Sequence, residues 1–444
     1  MKKRFVLLVT LLVFGISLGV YGQEKTLTID ECVQIALEQN PDIVRQEFTY
    51  RIAGKDVIIA FAAFLPEVSA NMGYYHSVVG PSSMMRIDPG TGIPVPLQPF
   101  EIKSWGSYAG FNVSQTIIDG GYSISNFAQS LALKKSAKYT FEDTKQNTIY
   151  IVKERYYNLL AAEKLLEVAE ETLKQSEESF KRAQVLFEVG KAPKSDVLQA
   201  KVQEETDRLS LIQAQNNLTI ARASLNQVLG MDVDKEIRVV DDLEVPEIEV
   251  GYEDARANAF TYHPTLLSRT YDVKASKAGI GLAISQYLPT FGASYSYNWS
   301  HMKFDQIENM FDTDYRWSAS IYLRIPIFQG FARIANLSRA QIDYKSSQEA
   351  LAQAKRDIAL ETKQAYFEVQ QSKKSIAVAQ NAIDAAEEGL RLNREKYNLG
   401  AGTMLDLIVA QVSYTSAQSD HISALYSYKR AIARLQRAMG ILEK

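Results

Sequence analysis

The chain has 444 residues, 46% of them apolar and 23% charged, which is enough to fill more than one core. Its 49 basic and 52 acidic residues leave a net charge of -3, so nothing electrostatic points to a nucleic-acid partner. One cysteine, Cys32, excludes an internal disulfide framework, and its place inside a helical pattern reads as a small buried residue rather than a lipid-bearing terminus.

Residues 1–22 carry Lys2, Lys3 and Arg4 ahead of an apolar run from Phe5 to Val20, the layout of a cleaved secretory signal with Gln23 as the mature start. A retained anchor helix is the competing reading, against which the run is short and polar sequence follows at once. From Leu27 to about Phe64 the period is helical, opening at Thr28, Ile29 and Asp30 and broken or kinked at Asn40 and Pro41.

After Pro66 the period changes to two. Val68, Ala70, Met72 and Tyr74 alternate with Glu67, Ser69, Asn71 and Gly73, which predicts a strand. A loop of about 79–103 holding five prolines leads to a return strand with Ala109, Phe111 and Val113 on its apolar side, so residues 66–118 form a hairpin. Tyr122 to Glu188 has no proline or glycine and predicts a helix of roughly 100 Å at 1.5 Å per residue. Within it Leu166, Ala169, Leu173, Ser176, Phe180, Ala183 and Phe187 alternate steps of three and four, a coiled-coil seam. A tip turn at 189–196 reverses the chain, and a return helix at 197–229 repeats the seam through Leu211, Ala214, Leu218, Ala221, Leu225 and Val228.

Residues 231–251, with Ile237, Val239, Val245 and Pro246 among acids, read as a linker carrying one or two short strands. The pattern of 23–230 then recurs over 252–444: a helix broken at His263 and Pro264, a hairpin at 289–328, a long helix at 331–398, a tip turn at 399–406 and a return helix at 407–440. An offset of 210 pairs Gly190 with Gly400, Asp196 with Asp406, Phe187 with Tyr397 and Gly230 with Gly440, so the chain is a duplication.

The hairpin strands have an aromatic face and a polar face, compatible with a soluble sheet or with a barrel in the outer membrane. The signal sequence, the absence of any other long apolar run, and Trp105, Trp299 and Trp317 near the loop ends favour the barrel. Open strand edges cannot stay unsatisfied in lipid, and single-chain barrels start at about 8 strands, so several chains must share one barrel. Arg316 and Arg324 fall on the polar face and are candidates to line its lumen.

The order helix, hairpin, long helix, glycine turn with a following Asp, return helix, twice over, resembles the TolC-like outer-membrane factor family across residues 24–442. The turns Val189 to Leu198 and Leu399 to Ile408 carry the resemblance locally. It implies a mainly α fold with a membrane β-barrel portion, in which antiparallel coiled-coil helices form a periplasmic tunnel. It further implies a homotrimer whose chains each give four strands to a shared 12-stranded barrel in outer-membrane lipid. A periplasmic adaptor would dock on the tip and join it to an inner-membrane pump of RND, ABC or similar type. The function implied is the passive exit duct of a tripartite efflux or type I secretion system.

By the same resemblance Ser195 and Asp196 match tip residues that bond a Tyr and an Arg of the second turn and hold the aperture shut. Tyr397 stands at the Tyr position, but Gly402 stands at the Arg position, so a lock would either lack that charge-assisted bond or borrow another cation such as Lys191 or Lys194. Asp406 reads either as one of a ring of carboxylates at the mouth or as a first-turn acid favourable to a helix N-terminus. Gly190, Lys191, Lys194, Gly400, Gly402 and Thr403 would shape the docking knobs, with Ser195 and Thr403 also candidates to cap the return helices.

No catalytic motif is present: the phosphate-loop position ahead of Gly190 is Val185, and there is no G-x-S-x-G. His76, His263, His301 and His421 lack ligand spacing, and Met84, Met85, Met302 and Met310 read as ordinary loop composition, so no metal or cofactor is expected. The reading that competes with the duct is an exported structural or adhesion-like coiled coil without a conducting pore.

Overall fold

The computed structural model describes residues 26–82, 85–96, 100–241, 250–301 and 312–442. The signal sequence, Val245 and Pro246 of the linker, and Met84, Met302 and Met310 lie outside the described residues.

The chain opens with β1 (Thr26–Leu27), α1 (Ile29–Gln39) and α2 (Pro41–Ala62). Thr28 caps α1 in a reciprocal box: its Oγ1 accepts from the Glu31 amide at 3.2 Å, and the Glu31 carboxylate accepts from the Thr28 amide at 3.0 Å. Asn40 ends α1 and starts α2, its Oδ1 accepting from the Asp42 amide at 2.8 Å while Pro41 takes the first helical position, where no amide is needed. The helical pattern running to Phe64 is therefore two helices.

β2 (Glu67–Ser82), β3 (Met85–Ile87), β4 (Pro94–Pro96) and β5 (Phe100–Asp119) follow. Here the expected loop at 79–103 is corrected. Val79 pairs with Ile102 and Ser82 with Phe100, and β3 pairs with β4 beyond them. Val78, Val79 and Ile102 prolong the strand-forming run, and Pro94 and Pro96 sit in a two-stranded ribbon whose outer edge tolerates a missing amide.

Next come α3 (Tyr122–Glu188), α4 (Lys194–Leu229) and β6 (Arg238–Val239), which pairs in parallel with β1. Then α5 (Tyr252–Tyr262), α6 (Pro264–Ser285), β7 (Thr290–His301), β8 (Tyr315–Arg324), α7 (Ala332–Asn398) and α8 (Met404–Ala438) repeat the order. The long helices α3 and α7 have 67 residues each, and α2 and α6 have 22 each. Helix α7 starts one residue later than predicted, because Phe331 takes a left-handed φ of 63° as its cap.

The seam predicted on α3 and α4 is buried or half-buried from Leu166 to Ala183 and from Leu211 to Val228, and only Phe187 at the tip is exposed. Burying this stripe, rather than local propensity, is what stabilises helices of this length. Apolar clusters gather at two levels. One girdle, where the short helices and linker meet the long ones, holds Cys32, Val152, Tyr156, Leu159 and Leu225 of the first copy together with Tyr426 of α8, and beside them Val369, Tyr428, Ile432 and Leu435 of the second copy. The other level is the tip, where Ala183, Ala200, Leu390, Tyr397, Met404 and Leu407 join both turns in one cluster.

β2, β5, β7 and β8 form one antiparallel sheet in that order. β2 and β8 are its two edges, and among the described residues each pairs with one neighbour only.

Candidate functional site

The register of the sheet sorts its residues by face. Glu67 pairs with Ser114, Ser114 with Ser294 and Ser294 with Ser320; one polar rung further, Ser69, Asn112, Ser296 and Ser318 align across the four strands. The Ser294 and Ser320 hydroxyls lie 2.8 Å apart, as do those of Ser296 and Ser318. Tyr108 covers Gly73, Tyr75 covers Gly106 and Tyr322 covers Gly292, each ring lying where a Cβ would otherwise be. Arg316 pairs with Asn298 and Arg324 with Thr290, which puts both arginines on this polar face.

The intervening residues make the opposite face. Ala70, Phe111, Tyr297 and Trp317 align, and Phe111 stacks on Tyr297 at 5.4 Å while Tyr297 stacks on Tyr315 at 5.6 Å. A continuous aromatic face opposite a hydroxyl-bearing face suits lipid on one side and water on the other. No described helix is long and apolar enough to cross a membrane, a statement that leaves strands untouched.

At the other end of the helices, Gly190 and Gly400 take φ of +74° and +73°, with open space around the position of a Cβ. This left-handed turn ends each long helix with a bond from the amide of the following residue, Lys191 to the Leu186 carbonyl at 2.7 Å and Ala401 to the Lys396 carbonyl at 2.9 Å. The returning helices start differently. Thr403 caps α8: its Oγ1 accepts from the Asp406 amide at 3.1 Å, and the Asp406 carboxylate accepts from the Thr403 amide at 3.0 Å and hydroxyl at 2.6 Å. These donors hold the Asp406 carboxyl below the usual carboxylate range.

The expected cap at Ser195 is corrected. Helix α4 begins at Lys194, with Pro193 as its cap residue and no side-chain bond, so Ser195 lies inside the first turn. The preset φ of Pro193 delivers the chain into the helix without a hydroxyl.

The two turns meet at Tyr397. Its ring is 8% exposed in the tip cluster, and its hydroxyl is buried without a hydrogen-bond partner, so no bond joins it to Asp196 within the chain. Burial pushes the phenol up, the nearby Asp196 carboxylate adds to this, and Arg182 opposes it. The cation at this junction is therefore Arg182, whose guanidinium donates to Asn398 Oδ1 at 2.7 Å and ties the end of α3 to the end of α7. Neither Lys191 nor Lys194 makes an ion pair among the described residues. Gly402 is accounted for by packing, since a Cβ there would lie 3.1 Å from Lys396 Cβ and 3.3 Å from the Tyr397 amide.

Sequence reasoning missed Arg182, Asn398 and the exposed aliphatics of the tip, Val185, Val189, Leu198, Leu399, Leu405 and Val409. A signal was present: apolar residues in the last and first turns of helices off the seam have no core to enter.

Sheet faces, paired long hairpins and a joint tip define an outer-membrane channel protein with a helical extension. The family model described as outer membrane efflux protein matches residues 32–231 and 252–441, and the chain belongs to that family. It is 21% identical to the outer membrane protein TolC of Vibrio cholerae, with 100% of this chain and 97% of that protein covered. To the outer membrane efflux protein BepC of Brucella suis it is 23% identical, covering 98% and 91%. The CmeC outer membrane channel of Campylobacter jejuni shares its fold with a TM-score of 0.82 at 17% identity, covering 93% of this chain and 86% of that one. The chain is thus an outer-membrane exit duct with its helices in the periplasm, and the pore-less coiled coil falls away.

Proposed function

We propose that three copies of this chain close one barrel and one tunnel, and that the assembly passively conducts cargo delivered by a periplasmic adaptor and an inner-membrane pump, without catalysis. The observation that carries this reading is the four-stranded sheet with a lipid-compatible face and two open edges, β2 and β8. Unpaired edges cost several kcal/mol per backbone group in hydrocarbon, and pairing β8 of one copy with β2 of the next removes them. Arg316 and Arg324 then line the lumen.

At the tip, Gly190, Lys191, Lys194, Gly400, Gly402 and Thr403 form the knobs that meet the adaptor. Ser195, Asp196, Tyr397 and Asp406 belong to the aperture, with Asp196 half-buried beside Tyr397 and Asp406 exposed on its cap. Efflux appears in the name of the BepC relative and protease secretion in that of the AprF relative of Pseudomonas aeruginosa, and both support delivery of cargo to a shared outer component. Two measurements on the purified mature protein test the reading. Mass photometry is expected to give three chains of about 45–50 kDa each, the full chain being 49.8 kDa, and a single-chain mass in mild detergent would end it. In planar bilayers Asp406→Asn is expected to weaken block by trivalent cations, and undiminished block would remove Asp406 from the mouth.

A further inference from the structure

Two charged side chains stand at opposite corners of the four-stranded sheet. Glu67 opens β2 and Arg324 closes β8, the two edge strands. β2 leaves α2 and β8 leads back toward α7, so both corners are at the helix end of the sheet. Both residues are exposed, and neither side chain makes an ion pair among the described residues. They also share a face, because Glu67 is level with Ser114, Ser294 and Ser320 and Arg324 follows Ser320 on the same polar side. Asp119, the other acid beside Arg324 at this junction, is already engaged: its carboxylate accepts from the Gly121 amide at 3.1 Å and the Ser123 amide at 2.8 Å.

Barrel geometry says where partners for Glu67 and Arg324 lie. Strands tilted by about 35–45°, about 4.8 Å apart and rising about 3.3 Å per residue, slip in register by about four to six residues over four strands. Only an even slip sets polar face against polar face, since a shift of one residue turns every side chain over. In one direction the slip would oppose Ser320 to residues 61–63, the end of α2 and the turn after it, which are not strand. In the other it opposes Ser320 to Asn71 or Gly73 of the next copy. The Gly73 register puts Glu67 against Pro326, which has no amide to give the ladder. The Asn71 register puts Tyr74 beside Trp317, continuing the row of Phe111, Tyr297 and Trp317, and brings Glu67 face to face with Arg324.

We propose that Glu67 of one copy and Arg324 of the next form an ion pair that selects the register in which β8 meets β2. The pair rests on the shared-barrel reading and adds to it one register and the two side chains that specify it. The apolar face alone discriminates poorly, because large side chains meet large side chains again after a slip of two. A carboxylate opposite a guanidinium does discriminate, since the neighbouring register would leave Arg324 facing Ser69. The helices that flank these strands leave matching edges: α2 packs on α3 and α7 on α6 and α8, while Phe48, Ile52 and Ile59 of α2 and Ile334 and Ile342 of α7 stay exposed. A second copy that joins β2 to β8 brings α2 beside α7 and covers both.

Oxidative cross-linking of the full mature protein, in a Cys32→Ala background, tests the register. Glu67→Cys with Arg324→Cys is expected to give covalent dimers and trimers on a non-reducing gel, and Ser69→Cys with Arg324→Cys at least tenfold less. Stronger cross-linking through Ser69→Cys, or none through Glu67→Cys, in a protein that still has the mass of three chains would overturn the pairing and leave the shared barrel standing. A single-chain mass would end both. Charge reversal supplies a measurement without cysteines: Glu67→Arg and Arg324→Glu should each lower the temperature at which SDS dissociates the assembly, and the double variant should recover most of that loss. A double variant no more resistant than either single one would show that the two side chains do not meet.

Discussion

Four glycines end the four helices of the two hairpins in the same left-handed turn, yet the pair at the tip and the pair at the girdle live in different surroundings. Gly190 and Gly400 have nothing within 4 Å of a Cβ position. At Gly230 a Cβ would lie 2.7 Å from the Gln39 carbonyl oxygen, and at Gly440 it would lie 2.8 Å from His263 Cα and amide nitrogen. The tip needs glycine for backbone conformation alone, whereas the girdle needs it also because another chain segment passes against it. One end of the molecule is left bare for a partner and the other is closed on itself.

The largest expected effect breaks this comparison most directly. Gly440→Ala combines a left-handed alanine, costing about 1–2 kcal/mol, with a backbone overlap that must shift the start of α6, for a total on the order of 3 kcal/mol or more. Gly400→Ala carries the first cost only. Thermal melting followed by far-UV circular dichroism should separate the two variants widely. Equal losses would mean that the girdle yields as easily as the tip.

A medium effect sharpens the contrast between the turns themselves. α8 is held by the Thr403 and Asp406 box, while α4 starts on Pro193 with no side-chain cap. Thr403→Ala should therefore cost about 1 kcal/mol, and Ser195→Ala a few tenths at most. Hydrogen exchange at the first turns of α8 and α4 reads this locally. Faster exchange in Ser195→Ala than in Thr403→Ala would reverse the assignment of caps.

The long helices, the seam and both strand faces were legible because they rest on periodicity, which is a property of sequence alone. Phe111, Tyr297 and Trp317 could be placed on an apolar face from alternation, but their stacking depends on inter-strand register, and register comes from pairing partners distant in sequence. The same limit applies to the tip. Ser195 looked like a cap because Ser is a good one, and Pro193 two residues earlier had already set the helix start. Arg182 was hidden among other charged residues on α3, since its meaning comes from Asn398, which is 216 positions away. Ala169, Ala214 and Ala221 read as seam residues, and only the packing of a third helix turns them into the wall of a groove.

The smallest effect concerns the girdle and separates its two copies. Asn40 caps α2 with an amide oxygen, and its Nδ2 donates to the Val228 carbonyl at 2.9 Å. In the second copy His263 does the capping: Nδ1 accepts from the Thr265 amide at 3.3 Å, and Nε2 is buried without a partner. Asp143 and Glu361 face it and favour the charged ring, Arg437 disfavours it, and burial outweighs both, so its pKa falls below the usual 6.5. The unfolded chain therefore takes up a proton first as pH drops, and the stability that neutral His263 contributes is present above about pH 6.5 and lost below it. Protonation would also place a positive ring and an N–H donor against the N-terminus of α6, where an acceptor is needed. Melting temperatures between pH 7.5 and 5.5 should fall more steeply for the wild type than for His263→Asn, which installs the cap of the first copy. Parallel slopes would show that the acid response arises elsewhere, and would leave the two caps equivalent despite their different chemistry.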